Sequence, residues 1–259
     1  MCLILLAYRS HPDYPLILAA NRDEFYDRPT APARFWPESP RLLAGRDLRR
    51  GGTWLGVTRD GRWSAVTNVR EADRTMTGGR SRGELVKGFL AGEESPEDFL
   101  SQLNAEAGTY PGFNLLAGTP ENLWYLSNRV DGVRLLSPGL YGLSNALLDT
   151  PWPKVVRCRR ALASALALSG SSLEADLFAL LADRNVPPDS ELPDTGFGLP
   201  WERLLSPPFI LSPAYGTRSS TVLMVSGDGQ ASLIERTFSP GEGPDHFKEI
   251  RHVFPIKGG

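Results

Sequence analysis

A cysteine stands at position 2, directly before an apolar run from Leu3 to Ala7. A second apolar run, Leu16 to Ala20, stops at Asn21-Arg22-Asp23-Glu24. If the two runs pair as a hairpin around the segment from His11 to Pro15, Cys2 and Asp23 meet at its open end. A thiol, a carboxylate and a guanidinium in one place are the parts of nucleophilic catalysis, because a thiol needs a base and an electropositive setting to act near neutral pH. A thiol with a pKa of about 8.5 is only a few per cent thiolate at pH 7. If Met1 is removed, the α-amine of Cys2, with a pKa of about 7.7–8.0, can take the thiol proton. Asp23 would orient that amine and then hold the ammonium. Packing readings compete: a cysteine in a strand is commonly a small core hydrophobe, and Asp23 with Arg22 or Arg218 could be a structural ion pair.

The elements that must position these groups read as follows. Residues 25–40 hold Pro29, Pro32, Pro37 and Pro40 and predict a loop, with irregular chain continuing to Gly52. Thr53 to Thr58 and Arg62 to Asn68 predict a β-hairpin across Arg59-Asp60-Gly61, closed by Asn68. Helices are expected over Gly83 to Ala91 and after Ser95-Pro96-Glu97-Asp98, where a serine cap precedes proline and two acids. Strands follow at Phe113 to Ala117, Leu123 to Ser127, Val133 to Leu136 and Leu140 to Leu143, the last ending at Ser144-Asn145. Pro153 to Leu168 reads as an amphipathic helix with Val155, Val156, Ala163 and Leu166 on its apolar side, and Leu173 to Leu181 as another helix. Residues 187–213 predict a long loop of the kind that is usually functional or disordered. Ser220 to Val225 and Gln230 to Thr237 form a final hairpin. Strands, helices, strands, helices and strands, with no linker, predict one α+β domain over residues 1–259.

Composition narrows the function classes. The 259 residues carry 28 basic and 30 acidic side chains, a balance that argues against nucleic acid or an anionic membrane as partner. Two cysteines, Cys2 and Cys158, are too few for a disulfide framework and fit a reducing compartment. The apolar start is too short for a signal core, and no run reaches the roughly 18 residues of a membrane span. A cytoplasmic protein is expected, and nothing in the sequence sets an oligomeric state. Cys158 reads as core. His11, His246 and His252 show no metal-ligand spacing, so no metal is expected. Trp36, Trp54, Trp63, Trp152 and Trp201 are core, rim or pocket residues; Trp54 joins Asn21 and Arg22 as a substrate-binding candidate. Gly78-Gly79-Arg80-Ser81-Arg82-Gly83 before a helix could bind an anion but lacks the Lys-Ser/Thr of a phosphate loop.

Several islands carry a resemblance. Met1-Cys2, Ala20-Asn21-Arg22-Asp23-Glu24, Gly51-Gly52-Thr53-Trp54-Leu55-Gly56, Thr67-Asn68, Tyr141-Gly142-Leu143-Ser144-Asn145 and Tyr215-Gly216-Thr217-Arg218-Ser219-Ser220 resemble the Asn-Arg-Asp-Glu (NRDE) family, of the transport-and-Golgi-organisation type. More distantly, the layout is similar to the cysteine N-terminal-nucleophile hydrolases of the choloylglycine hydrolase and penicillin V acylase group. That resemblance implies a four-layer αββα sandwich of two antiparallel sheets flanked by helices. It also implies amide cleavage by a cysteine exposed through methionine removal. It assigns Cys2 as nucleophile, Asp23 as the carboxylate holding the amine, Asn68 and Asn145 as site asparagines with Asn68 in the oxyanion hole, and Arg218 as a late site arginine. The chain departs from it at Ala20, where those relatives have arginine. Arg22 instead falls between Asn21 and Asp23, on the other face of a strand.

Two functions follow. The first is a hydrolase of a linear amide or acyl bond acting through Cys2, without a cofactor. The second is a non-catalytic carrier that keeps the hydrolase fold for haem or an acyl lipid. The expected partner is accordingly a small-molecule amide, an acyl lipid or haem.

Overall fold

The computed structural model describes residues 2–72 and 79–257. In chain order the first strands are β1 (Cys2–Tyr8), β2 (Leu16–Phe25), β3 (Thr30–Trp36), β4 (Ser39–Asp47), β5 (Leu55–Thr58) and β6 (Trp63–Asn68). Helices α1 (Arg82–Ala91) and α2 (Pro96–Glu106) precede β7 (Phe113–Gly118), β8 (Leu123–Ser127), β9 (Arg134–Leu135) and β10 (Gly139–Leu143). The remainder comprises α3 (Pro153–Ala165), α4 (Gly170–Leu181), α5 (Leu199–Leu204), β11 (Tyr215–Val225), β12 (Gln230–Thr237) and β13 (Lys248–Pro255).

Two compact units divide these elements, and neither is a contiguous stretch of sequence: residues 2–27, 70–72 and 138–253 form the first, and 28–69, 79–137 and 254–257 the second. The first is built on a sheet of order β10-β1-β2-β11-β12-β13, antiparallel from β10 through β12. Helices α3 and α4 pack on it. Alternation along the strands decides what they cover: Leu3, Leu5, Ala7, Ile17 and Ala19 join Val155, Leu162, Leu173 and Leu177 in one buried cluster. The second unit has the antiparallel sheet β3-β4-β5-β6-β7-β8-β9. Helices α1 and α2 lie against it through Leu85, Val86, Phe89, Leu90, Leu100 and Leu103. Each unit thus supplies one sheet layer and one helix layer of the expected α+β class.

Three expectations are corrected. Residues 25–52 are not loop, because β3 and β4 pair there. The prolines fit by position: Pro32 lies in the register shift between Ala31 and Arg34 of the edge strand β3, and Pro40 precedes the stretch of β4 that pairs with β5 from Leu42. Residues 187–213 are not all loop, since α5 forms within them. Helix α3 ends at Ala165, and Val156 and Ala163 are exposed rather than apolar-face residues. Strand β13, absent from the sequence reading, is an edge strand that exposes Lys248, Glu249 and Arg251 together with Val253. The capped start of α2 is as expected, with Ser95 Oγ accepting the Asp98 N–H at 3.1 Å. No helix among the described residues is long and apolar enough to cross a membrane.

Candidate functional site

The open end of the β1–β2 hairpin gathers the chemistry. Cys2 pairs directly across from Arg22, and residues directly opposite in an antiparallel pair project from the same face. This corrects the expected geometry: the thiol shares its face with Arg22, while Asn21 and Asp23 alternate to the side carrying the helices. Arg22 is buried and ion-paired to Glu24 at 3.6 Å on that same face. Burial pushes the Cys2 thiol above its ordinary value, and the Asp23 carboxylate adds to that rise; Arg22 and the hydrogen bond from the Asp23 backbone N–H oppose it without reversing it. Met1, whose removal the chemistry needs, lies outside the described residues.

On the helix side, Asn21 is a fixed brace. Its Nδ2 donates to Leu181 O at 2.8 Å and Pro208 O at 2.9 Å, and its Oδ1 accepts from Ser220 Oγ at 2.6 Å. With every group committed to the scaffold, Asn21 positions rather than binds. Asp23 is wholly buried, and its Oδ1 accepts from Thr217 Oγ1 at 2.7 Å. Burial raises its carboxyl, opposed by the nearby Lys154 ammonium and the Thr217 bond.

Lys154 is the residue the sequence reading missed. It is 2% exposed at the start of α3 and donates to Leu205 O at 2.9 Å. Desolvation lowers its pKa to about 8. A signal existed: Lys154, Cys158, Leu162 and Ala165 follow the spacing of one helical stripe, so a lysine occupied a position predicted to be buried. Beside it, Arg70 and Glu202 form a buried ion pair at 2.6 Å, with the Arg70 guanidinium 4.6 Å from the Trp152 ring centroid.

Asn145 is fully buried and follows β10, whose Leu143 pairs with Ile4. The neighbouring Ser144 Oγ lies 3.1 Å from the Cys2 carbonyl and 3.3 Å from Asn145 Oδ1, so this turn sits against the start of β1. Arg218 is the extra residue of a β-bulge: Thr217 opposes Asp23, and Ser219 opposes Arg22. Its guanidinium donates to Phe25 O at 3.1 Å and Tyr26 O at 3.3 Å, bracing the end of β2. Because of the bulge, Cys2, Arg22 and Ser219 form one lateral row on one sheet face. Ser219 Oγ, buried in that row, has no hydrogen-bond partner among the described residues.

The first unit thus brings together Cys2, Asn21, Arg22, Asp23, Asn145 and Arg218. Asn68 and Trp54 belong to the second. Asn68 ends β6 opposite Phe113. Trp54 is half-buried against that unit's core and lies over Gly45, where a Cβ would come within 2.5 Å of the indole. Residue 78 of the glycine-rich stretch before α1 lies outside the described residues. Cys158 is core, as expected, with burial pushing its thiol up to about 12.

Comparison with known proteins gives consistent matches along the chain. The family described as Transport and Golgi organisation 2 matches residues 1–240. A Transport and Golgi organization protein 2 homolog of Bos taurus is 36% identical over 285 residues, covering 99% of this chain and 100% of the relative. The Homo sapiens homolog is 35% identical over 257 residues, covering 92% and 93%. Among solved structures, a Caenorhabditis elegans N-acylethanolamine-hydrolyzing acid amidase ortholog aligns at a TM-score of 0.48 and 11% identity, over 86% of this chain and 92% of that one. The C2A mutant of the conjugated bile acid hydrolase from Clostridium perfringens aligns at 0.48 and 8%, over 100% and 98%.

Proposed function

The chain belongs to the Transport and Golgi organisation 2 family, and from that premise we propose that it is a cysteine amidohydrolase, cleaving a linear amide or related acyl bond of a small molecule through Cys2. The observation that carries this reading is the row Cys2–Arg22–Ser219: a half-buried thiol, a buried guanidinium and a buried hydroxyl with no hydrogen-bond partner among the described residues, all on one sheet face. A buried hydroxyl left unpaired costs the fold about 1–3 kcal/mol, so a substrate that pairs with it recovers binding energy.

In the processed chain the α-amine of Cys2 takes the thiol proton, and the sulfur forms a bond to the acyl carbon as the carbonyl π electrons move to oxygen. Asn145 acts as a donor to that oxygen, such a donor contributing on the order of 3 kcal/mol to the barrier. Collapse breaks the C–N bond, and the departing amine takes the proton held on the α-ammonium. Water then cleaves the thioester with the α-amine as base. Asp23 holds the α-ammonium through both steps, and Arg22 favours the thiolate. Burial raises the thiol, so the α-amine is needed as a base rather than as a bystander.

The test is to determine by intact mass whether Met1 is removed, then to incubate the protein with N-acyl amides of graded chain length. An acyl adduct on Cys2, turnover, and loss of both in Cys2→Ala support the enzyme. Removal of Met1 with neither adduct nor turnover across the series would sink it.

One observation favours a second reading, that of a carrier for an acyl lipid or haem. The raised thiol is poorly ionised at neutral pH, as a packing cysteine would be. His11 offers haem no axial nitrogen, because Nε2 is engaged by Leu168 O at 2.8 Å and Nδ1 accepts from Asp13 N at 3.0 Å. A carrier would bind its acyl ligand equally in Cys2→Ala and wild type.

A further inference from the structure

Between Thr217 and Thr221, strand β11 carries four hydroxyl side chains, and three of them are paired within the first unit. Thr217 Oγ1 donates to Asp23 Oδ1 at 2.7 Å, Ser220 Oγ to Asn21 Oδ1 at 2.6 Å, and Thr221 Oγ1 to Glu235 Oε2 at 3.4 Å. Ser219 differs. It is 3% exposed, and its Oγ has no hydrogen-bond partner among the described residues. Alanine would fill the position without that polar cost, since removing an unpaired buried hydroxyl is neutral or stabilising. A hydroxyl kept against the interest of the fold points to a partner from outside the chain. Its place in the sheet says where that partner sits. Ser220 bonds Asn21, and Val222 and Met224 join the cluster under α3 and α4, so alternation turns Ser219 to the opposite face, in the row of Arg22 and Cys2. Neighbouring strands lie about 4.8 Å apart, which sets Ser219 about 10 Å from Cys2 along that row. That is too far for a donor to the oxyanion, whose carbon is bonded to the sulfur. Ser219 instead reaches a group beyond the scissile bond.

We propose that Ser219 is a specificity residue of the Cys2 site, and that the substrate is an amide carrying a hydroxyl oxygen which Ser219 contacts. One hydrogen bond of about 2.8 Å, taken from the row distance, leaves about 7 Å between the sulfur and that oxygen. The Arg22 cation between them is ion-paired to Glu24 at 3.6 Å, so the row offers hydrogen bonding rather than unbalanced charge, and a neutral hydroxyl matches it. A serine hydroxyl both donates and accepts, as the substrate hydroxyl does. An amide without that oxygen leaves Ser219 buried and unpaired in the complex, and a site built to bond a hydroxyl discriminates against the analogue lacking one. This inference rests on the amidohydrolase reading for the reaction, whereas the contact itself is measurable by binding.

Three probes test it: N-octanoyl butylamide, its analogue with a hydroxyl at the end of the butyl group, and one hydroxylated at the same remove along the acyl chain. For each, kcat/KM is measured on wild type, Ser219→Ala and Ser219→Thr, and Kd by calorimetry on the same three in a Cys2→Ala background. With Ser219 present, one hydroxylated amide should be preferred over the plain one by about tenfold or more. The preference should vanish in Ser219→Ala and return in Ser219→Thr, while Ser219→Ala unfolds at the same or a higher urea concentration. Which analogue is preferred tells whether the oxygen lies on the acyl or the amine half. Equal treatment of the three amides by wild type, or a preference that survives Ser219→Ala, would overturn the proposal and leave an ordered water as the partner of the hydroxyl. Turnover without a Ser219-dependent preference keeps the enzyme and removes the contact. A Ser219-dependent preference in Kd without turnover ends the enzyme reading and keeps the contact.

Discussion

Thr217 Oγ1 donates to Asp23 Oδ1 at 2.7 Å while accepting the Ile210 N–H at 2.9 Å, so its single proton is committed to the carboxylate. The motif around it leaves no slack. At Gly216 a Cβ would come within 2.3 Å of the Tyr26 hydroxyl and 2.7 Å of Ile210 O.

Thr217→Val keeps the shape and removes that donor. A hydrogen bond to a charged group contributes about 1.5–3 kcal/mol, and a loss of that size is expected in urea unfolding at pH 7, with Asp23 pushed further up. Thr217→Ser should recover most of it. Equal stability in the valine variant would show that Asp23 is not ionised in the fold.

The lysine gives stability a pH dependence of known sign. Lys154 titrates at about 8 in the folded chain against an ordinary 10.5. Between those values the unfolded chain binds more protons, so stability rises with pH through that window and the penalty of the buried ammonium is fully present below it. Relative to Lys154→Met, wild type should gain on the order of 3 kcal/mol between pH 8 and 10.5. Denaturant midpoints at half-unit pH steps measure it, and parallel curves would refute the shifted lysine.

The two thiols should separate under iodoacetamide. Cys2 is half-buried, whereas Cys158 is buried with its thiol at about 12. Site-resolved mass spectrometry should find Cys2 modified at least tenfold faster. Its rate should rise through a pKa above the ordinary value while Met1 is retained, and through a lower one once the neighbouring ammonium exists. The same pKa with and without Met1 would detach the thiol from the amine.

Breaking the Arg70–Glu202 pair should be costly. Both side chains are buried, and Glu202 Oε1 also accepts the Thr195 N–H at 3.0 Å. Glu202→Gln removes the carboxylate charge beside the buried Arg70, for which about 3–5 kcal/mol is expected. A calorimetric melting point within a degree or two of wild type would contradict this.

How far the sequence discloses this site depends on the kind of feature. Alternation and turn residues disclosed the β1–β2 and β11–β12 hairpins, and with them the meeting of Cys2 and Arg22-Asp23 at one strand end. Which side chain shares the thiol's face depends on a one-residue register, and no local pattern sets that. The bulge at Arg218 was equally hidden, though it turns an expected site arginine into a brace and aligns Ser219 with the thiol. Prolines misled the reading of residues 25–52, because an edge strand and a register shift tolerate them. Lys154 is legible in principle, as a charge on the stripe shared by Cys158, Leu162 and Ala165.

The pairing of β2 with β11 also sets a clock. Asp23 and Thr217 are 194 residues apart, and at roughly 5–20 residues per second a ribosome needs about 10–40 s to travel between them. Throughout that interval β2 has β1 on one side and an open edge on the other, and open edges recruit foreign strands. Asn21 and Asp23, polar groups on that waiting strand, would interrupt its apolar run during synthesis, as gatekeeper residues do. The residues that later organise the chemistry would first protect the nascent chain from association, so apolar replacements there should lower soluble yield before any effect on folded stability is seen.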